Sequence, residues 1–142
     1  MLIEIAALCD AATDQGGKLN LLGAFDRIGG PLPMVFPQCA AVFRIRWLRQ
    51  DSGEHVMTLL FQDLRGIPLV PPLESKITVP PMPSEIDSHA INLMLNLQRL
   101  RIEHEGQYQL IFRVDGVDQT VLPLWVKDTT PHEPNPVKPE ER

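Results

Sequence analysis

The sequence predicts an all-β domain: a single antiparallel β-sandwich of about seven to nine strands, with immunoglobulin-like or related Greek-key topology. Three observations support this. Apolar residues alternate with polar ones along several segments, which is typical of half-buried strands. Asp-Gly and Ser-Gly turn signals separate these segments at spacings of about ten residues. Nine of the ten prolines before residue 128 cluster in short connections such as GGPLPMVFP and VPPMPSE, where they end or flank strands.

The first element is the segment CDAATDQGGKLNLLGAFD, residues 9–26, in which Gly16 and Gly17 separate two apolar runs. A phosphate-binding P-loop would require glycine where Ala12 stands and Ser or Thr where Leu19 stands. A P-loop also needs a helix whose N-terminal backbone amides point at the phosphate, and Gly23 interrupts any helix here. The segment is therefore predicted to be a strand, a turn and a second strand.

Two segments have the clearest alternation. In CAAVFRIRW, Phe43 and Trp47 lie on one predicted face, and Arg44 and Arg46 lie on the other. In QYQLIFRV, Tyr108 begins a similar strand. Tyr108 follows Gly106 by two residues, as in the tyrosine corner of immunoglobulin-like sandwiches, although a tyrosine that simply starts a strand fits equally well.

Two further segments could be helices or strands. IEIAALCDAA contains enough alanine for a helix, and SHAINLMLNLQRL could begin a helix at Ser84 or Ser88. We interpret both as strands, because asparagine is unfavourable inside a helix and the leucines of residues 91–97 alternate. The predicted core consists of large apolar residues from all these strands: Ile5, Leu21, Phe25, Phe43, Ile45, Trp47, Leu59, Phe61, Leu93, Leu95, Tyr108, Leu110, Phe112, Leu122 and Leu124.

The domain is predicted to span residues 1–127, followed by an extended or disordered tail at residues 128–142. The tail has no apolar periodicity and contains four of the 14 prolines. Its PxxP matches allow a docking peptide, but such matches arise by chance, and a solubilising tail is the favoured interpretation.

Composition excludes some partners and compartments. The net charge of −5 argues against a nucleic-acid binder that neutralises phosphates. No apolar run is long enough for a membrane span, and no basic segment marks a signal peptide, so we expect a cytoplasmic protein without membrane association. Cys9 and Cys39 form no CxxC pair, and whether they are bonded to each other is left open.

No motif for catalysis, metal or cofactor binding is found. The four histidines stand singly without HxH or HExxH, and there is no nucleophile elbow. Asp10, Asp14 and Asp63 could meet to hold calcium, but turn carboxylates usually bond their own backbone. The remaining candidate for binding is Arg44, Arg46 and Arg49, whose guanidinium groups could recognise an anion or a partner. The alternative, a solubilising sheet face, is favoured.

The segments LCDAA, GGKLNLLGAFD, PQCAAVFRIRW, PPLE, LNLQRL and GQYQLIF resemble an uncharacterised family of short bacterial β-rich proteins of unknown function. The resemblance covers about residues 2–127 and implies a bacterial, mostly β domain without an assigned activity.

For function we expect a non-enzymatic binding or assembly module of a bacterial cytoplasm, with an unknown protein partner or self-association. The alternatives are a small enzyme or ligand carrier with a site in the strand-end loops, and an anion or glycan binder that uses the arginine-bearing face. A pocket holding His89 or His104 beside a carboxylate would favour the enzyme or carrier. A flat surface with an apolar edge strand would favour the binding module.

Overall fold

Nine strands in two sheets make up the structure, a computed structural model that describes residues 1–131. The strands are β1 (Leu2–Gln15), β2 (Lys18–Phe25), β3 (Arg27–Gly30), β4 (Met34–Leu48), β5 (Gly53–Asp63), β6 (Leu73–Val79), β7 (Ser88–Ile102), β8 (Gly106–Val114) and β9 (Val117–Asp128). A short 3₁₀ turn at Arg49–Asp51 joins β4 to β5, and the described part of the chain contains no α-helix. The all-β prediction is confirmed.

The two sheets have the orders β2-β1-β4-β7 and β3-β9-β8-β5-β6, called here sheet A and sheet B. All pairings are antiparallel except β3 with β9, which is parallel. Both sheets direct one face into a shared core. At its centre the ring of Phe43 in sheet A stacks on the ring of Phe112 in sheet B, with ring centroids 4.4 Å apart.

The alternation predicted for β4 and β8 is confirmed, and both ambiguous segments are strands. Thirteen of the fifteen predicted core residues are buried or pack against the core, and the two exceptions are Ile5 and Leu21. Ile5 is 37% exposed, because a register shift between Ile3 and Ile5 reverses the alternation in β1. Leu21 is 38% exposed, because it lies in the half of the β1–β2 hairpin that extends beyond the pairing of β1 with β4.

The predicted turn at Gly16-Gly17 is confirmed as a two-residue hairpin connection. Gln15 pairs with Lys18, and both glycines have positive φ, as a type I′ turn requires. The hairpin curls over the outer face of sheet A, so that Cys9, Ala40 and Val42 become buried in a second small cluster. Sequence analysis did not anticipate this cluster, because alternation alone assigns one face of the sheet to solvent.

The predicted boundary at residue 127 lies one residue before the end of β9, which ends at Asp128. Beyond that strand the amide of Thr129 donates to the carbonyl oxygen of Gly30. Of the tail predicted to be extended or disordered, residues 128–142, residues 132–142 lie outside the described residues. Within residues 1–131, no helix is long and apolar enough to cross a membrane.

Candidate functional site

The predicted arginine pair of β4 lies on the outer face of sheet A and shares one carboxylate. Arg44 Nε lies 3.4 Å and Arg46 Nη2 lies 3.0 Å from Oε1 of Glu4. Arg46 also donates to Oγ of Ser88 at 3.1 Å. Each guanidinium side chain is only about one third exposed or less, because these contacts hold it against the sheet. The charge of Glu4 therefore offsets part of the positive charge of this face.

The hairpin tip adds further contacts to Arg44. Its Nη1 donates to the carbonyl oxygen of Gly17 at 3.3 Å and to Oδ1 of Asn92 at 2.9 Å. The side-chain nitrogen Nδ2 of Asn92 in turn donates to Oδ2 of Asp14 and to the same Gly17 carbonyl oxygen. Arg44 and Asn92 thus fix the hairpin over sheet A.

Arg49 lies apart from this pair, beyond the end of β4. Its guanidinium donates to the carbonyl oxygens of Met82, Pro83 and Ile86, and so anchors the β6–β7 connection. Anion binding by the three arginines stays a prediction. It could be checked by titrating the Arg46→Gln variant with a sulfated polysaccharide, since loss of the guanidinium charge should weaken binding, while the contacts of Arg44 that hold the hairpin stay in place.

The three aspartates considered for calcium are separated. Asp14 accepts the Gly17 amide, Asp63 binds the amides of Arg65 and Ile67, and Asp10 lies against Gly23. No group of three or more metal-ligating side chains occurs among residues 1–131.

A cleft of about 300 Å³ lies beside Tyr108, whose hydroxyl donates to the carbonyl oxygen of His104 at 2.7 Å. This contact has the geometry of a tyrosine corner. His104, Asp63 and Glu103 line the same cleft, so a histidine does lie near carboxylates. Each carboxylate has an arginine partner, because Asp63 pairs with Arg65 and Glu103 pairs with Arg101.

The two cysteines lie on opposite faces of sheet A as free, buried thiols, Cys9 in the outer cluster and Cys39 in the main core. Burial raises the pKa of the Cys39 thiol to about 11 and also raises the pKa of Cys9. Because the thiolate is the nucleophilic form, neither side chain is activated for covalent chemistry.

His55 joins three elements at one end of the core. Its Nδ1 lies 2.7 Å from Oδ2 of Asp115, its Nε2 lies 2.5 Å from the carbonyl oxygen of Asp51, and its ring packs against Trp47. The hydrogen bond to the Asp51 carbonyl, followed by that to the Asp115 carboxylate, raises the pKa of His55. Both ring nitrogens face acceptors, so the imidazolium is the form that satisfies the site.

This network predicts a pH dependence of stability. The pKa of His55 is higher in the folded state than in the unfolded state. Its contribution to the free energy of unfolding is therefore fully present below the unfolded-state pKa of about 6.5, and it is lost as pH rises through the higher folded-state pKa. We expect the free energy of unfolding to decline over that window, measured by urea denaturation in a pH series. The His55→Gln variant should lose this component, and an identical decline in that variant would contradict the assignment.

Four strands form the edges of the sheets, and three of them carry features that discourage pairing with another chain. β6 presents Glu74 and Lys76, β3 has only four residues, and β2 contains Lys18 and an irregular position at Gly23. Charges, short length and irregularities are the usual protection of sheet edges.

β7 is the exception among these edges. It is 15 residues long, and its segment SHAINLMLNLQ, residues 88–98, contains no acidic residue, lysine, arginine or proline. One side pairs with β4 along its length, and no described strand pairs with the other. The strand becomes irregular only at Arg99, which has a φ of 54° and is not paired with a residue of β4.

An apolar groove of about 230 Å³ lies beside this open edge, between β7 and β6. Most of its lining comes from apolar side chains of both sheets: Met57, Leu59, Leu73, Leu93, Leu95 and Phe112. Leu73 on β6 is exposed at the rim, whereas Leu93 and Leu95 on β7 are half-buried against the core. We call residues 88–98 and this groove the acceptor edge.

Sequence analysis identified β7 as a strand but did not assign it to a sheet edge. The signal that could have found the site is the absence of charge over residues 88–98, which is unusual for an edge strand. A central strand would show the same pattern, so the strand order was needed as well.

Comparison with known proteins gives a family but no activity. The chain matches the family model DUF6941, a family of unknown function, over residues 4–127. No curated protein matches. Among solved structures, a β-glucosidase from Listeria innocua in complex with isofagomine is 11% identical with a TM-score of 0.46, over 72% of this chain and 15% of that one. The chain thus spans only a small part of the length of that enzyme. The chain belongs to DUF6941, a family of unknown function.

Proposed function

We propose that the protein is a non-enzymatic binding or assembly module whose acceptor edge takes up an extended, apolar polypeptide strand. The observation that carries the proposal is the uncharged, unpaired edge of β7 beside an apolar groove. The other edges of both sheets are charged, short or irregular.

The chemistry of β-strand addition suits this edge. In an antiparallel pair, alternate residues direct their amide and carbonyl groups toward one neighbour, so the free side of β7 offers a row of unused donors and acceptors. A partner strand gains affinity from these main-chain bonds and specificity from side chains that enter adjacent pockets. Here the alternate side chains of the partner would cover Leu93 and Leu95 and reach Leu73 at the groove rim.

We further infer that the two sheets form an immunoglobulin-like sandwich in which the strand that follows C in sequence, β6, belongs to the CFG sheet and not to the sheet of A, B and E. In that fold one sheet has the order ABED and the other CFG. β1, β4 and β7 correspond in order to A, B and E, and β5, β8 and β9 correspond to C, F and G. Tyr108 supports the assignment, because its corner lies at the entry to β8, the equivalent of strand F. β6 pairs with β5, where variable-type domains carry strand C′, so no described strand takes the D position beside β7, and a partner strand would occupy it.

A synthetic peptide tests the proposal. The probe is a short peptide of alternating leucine and threonine with lysine at both ends, and the control peptide carries a central proline. We expect saturable binding of the probe by fluorescence anisotropy and much weaker binding of the control, because proline removes a main-chain donor.

Matched variants then locate the binding. Leu73→Asp, at the groove rim, should weaken binding of the probe about tenfold or more, because it places a carboxylate against the apolar side chains of the peptide. Leu22→Asp makes the same change at an exposed position of β2 and should leave binding unchanged. Failure of the probe to bind, equal binding of the control peptide or insensitivity to Leu73→Asp would each contradict the proposal.

The cleft beside Tyr108 supports a second candidate function, a small-ligand carrier. It brings His104 near Asp63 and Glu103, and its volume lies at the lower end of the range of ligand pockets. Native mass spectrometry of gently purified protein tests this alternative. A stoichiometric small-molecule adduct would favour the carrier, and bare protein would count against it.

A bacterial cytoplasm is the location that we propose for the module. The free thiols of Cys9 and Cys39 support it, because cytoplasmic proteins keep such thiols reduced. The bacterial origin rests on the family resemblance of residues 2–127. Fractionation of a source cell, with the protein found in a periplasmic extract, would disprove this location.

A further inference from the structure

We propose that the strand accepted by β7 is the β7 strand of a second copy of this chain, so that two four-stranded sheets A join into one continuous sheet. This inference rests on the proposed function and names the partner of the same edge. The pairing is antiparallel, because the two-fold symmetry of a homodimer relates identical edges in opposite directions. We place the two-fold axis at Met94, at the centre of residues 90–98.

The sequence of β7 is self-complementary around Met94. In this register Leu93 lies opposite Leu95 of the second copy, and Ile91 lies opposite its Leu97. Asn92 lies opposite Asn96 of the second copy, on the outer face. Directly opposed residues share a face in an antiparallel pair, so leucine meets leucine toward the core and amide meets amide outside. A shift of one residue would oppose leucine to asparagine and break this match.

Charge also favours a second copy at this edge. Two chains with a net charge of −5 each repel one another at long range, so a contact between copies is favoured where it brings no carboxylates together. The paired segments contain no carboxylate, lysine or arginine, so no like charges would be brought together within residues 90–98. Beyond them the irregular backbone at Arg99 ends the regular pairing, which limits the contact to this uncharged span.

Apolar burial adds to the main-chain hydrogen bonds. Leu93 and Leu95 are only half-buried within one chain, although they pack against the core. Their counterparts in the second copy would cover them, together with the exposed rim residue Leu73. Removing this apolar surface from water stabilises the dimer.

Sedimentation velocity over a concentration series tests the inference. We expect the wild-type chain to form a dimer and the Asn96→Lys variant to raise the dimer dissociation constant about tenfold or more, because edge lysines oppose strand pairing. Asn20→Lys is the matched control, since Asn20 is also an exposed asparagine on an edge strand, β2. The control should dimerise like wild type. Gln98→Lys, at another exposed position of β7, provides a second test variant.

The outcomes separate this inference from the proposed function. A wild-type chain that stays monomeric at every concentration would overturn the second copy as partner, whereas binding of the leucine-threonine peptide would still support the acceptor edge. A dimer that resists both β7 variants would also overturn the inference, because another surface must then hold it. Circular dichroism should give the same β spectrum for all variants.

Discussion

Replacing Phe43 with alanine should lower the free energy of unfolding by about 3–5 kcal/mol, the usual cost of removing a fully buried aromatic ring. Phe43 is completely buried and stacks on Phe112 of the opposite sheet. The deletion therefore removes apolar contacts from both sheets and leaves a cavity between them. The surrounding strands close this cavity only partly, because the close-packed side chains around it hold the two sheets apart.

Urea denaturation measures this loss, with Val35→Ala as control. Val35 lies on the same strand, β4, but is 56% exposed, so its truncation should cost less than about 1 kcal/mol. Equal stability of Phe43→Ala and wild type would show that Phe43 is not at the centre of the core.

Gly23→Ala should lower the free energy of unfolding by about 2–3 kcal/mol, through backbone strain and a clash. Gly23 has a φ of 68°, which disfavours any residue with a Cβ atom. An added Cβ would also meet the carboxylate of Asp10, whose Cγ would lie 2.9 Å away.

Gly16→Ala separates the two causes. Gly16 has a similar φ of 58°, but an added Cβ would meet nothing within 4 Å. Thermal or urea denaturation should therefore rank Gly16→Ala as the milder variant. In a chain that also carries Asp10→Ala, Gly23→Ala should lower the free energy of unfolding by less than it does in the wild type. An equal decrease with and without Asp10→Ala would exclude the clash.

Local alternation predicted most of the strands correctly, because it reflects contacts that each strand makes with one core. β4 and β8 each direct one face inward, so Phe43, Trp47 and Tyr108 could be placed from their own segments. The leucines of β7 also alternate, and Asn92 and Asn96 distinguished this strand from a helix.

Features that depend on distant residues could not be predicted in this way. The wrong prediction for Ile5 follows from a register shift that depends on the pairing of β1 with β4. Arg44 was correctly placed on the outer face, but its contacts with Glu4 and Gly17 depend on how the hairpin curls. The open edge of β7 depends on the strand order of the whole sheet, which no single segment encodes.

The central claim is that β7 offers an unpaired edge to an incoming strand. Residue-resolved amide hydrogen exchange tests it most directly, on dilute protein with and without the leucine-threonine peptide. We predict that alternate amides of residues 90–98 exchange rapidly in the free chain and become protected when the peptide binds, whereas the amides of β2 and β6 do not change. Amides of β7 that are uniformly protected in the free monomer, or peptide-induced protection confined to another edge, would contradict the account.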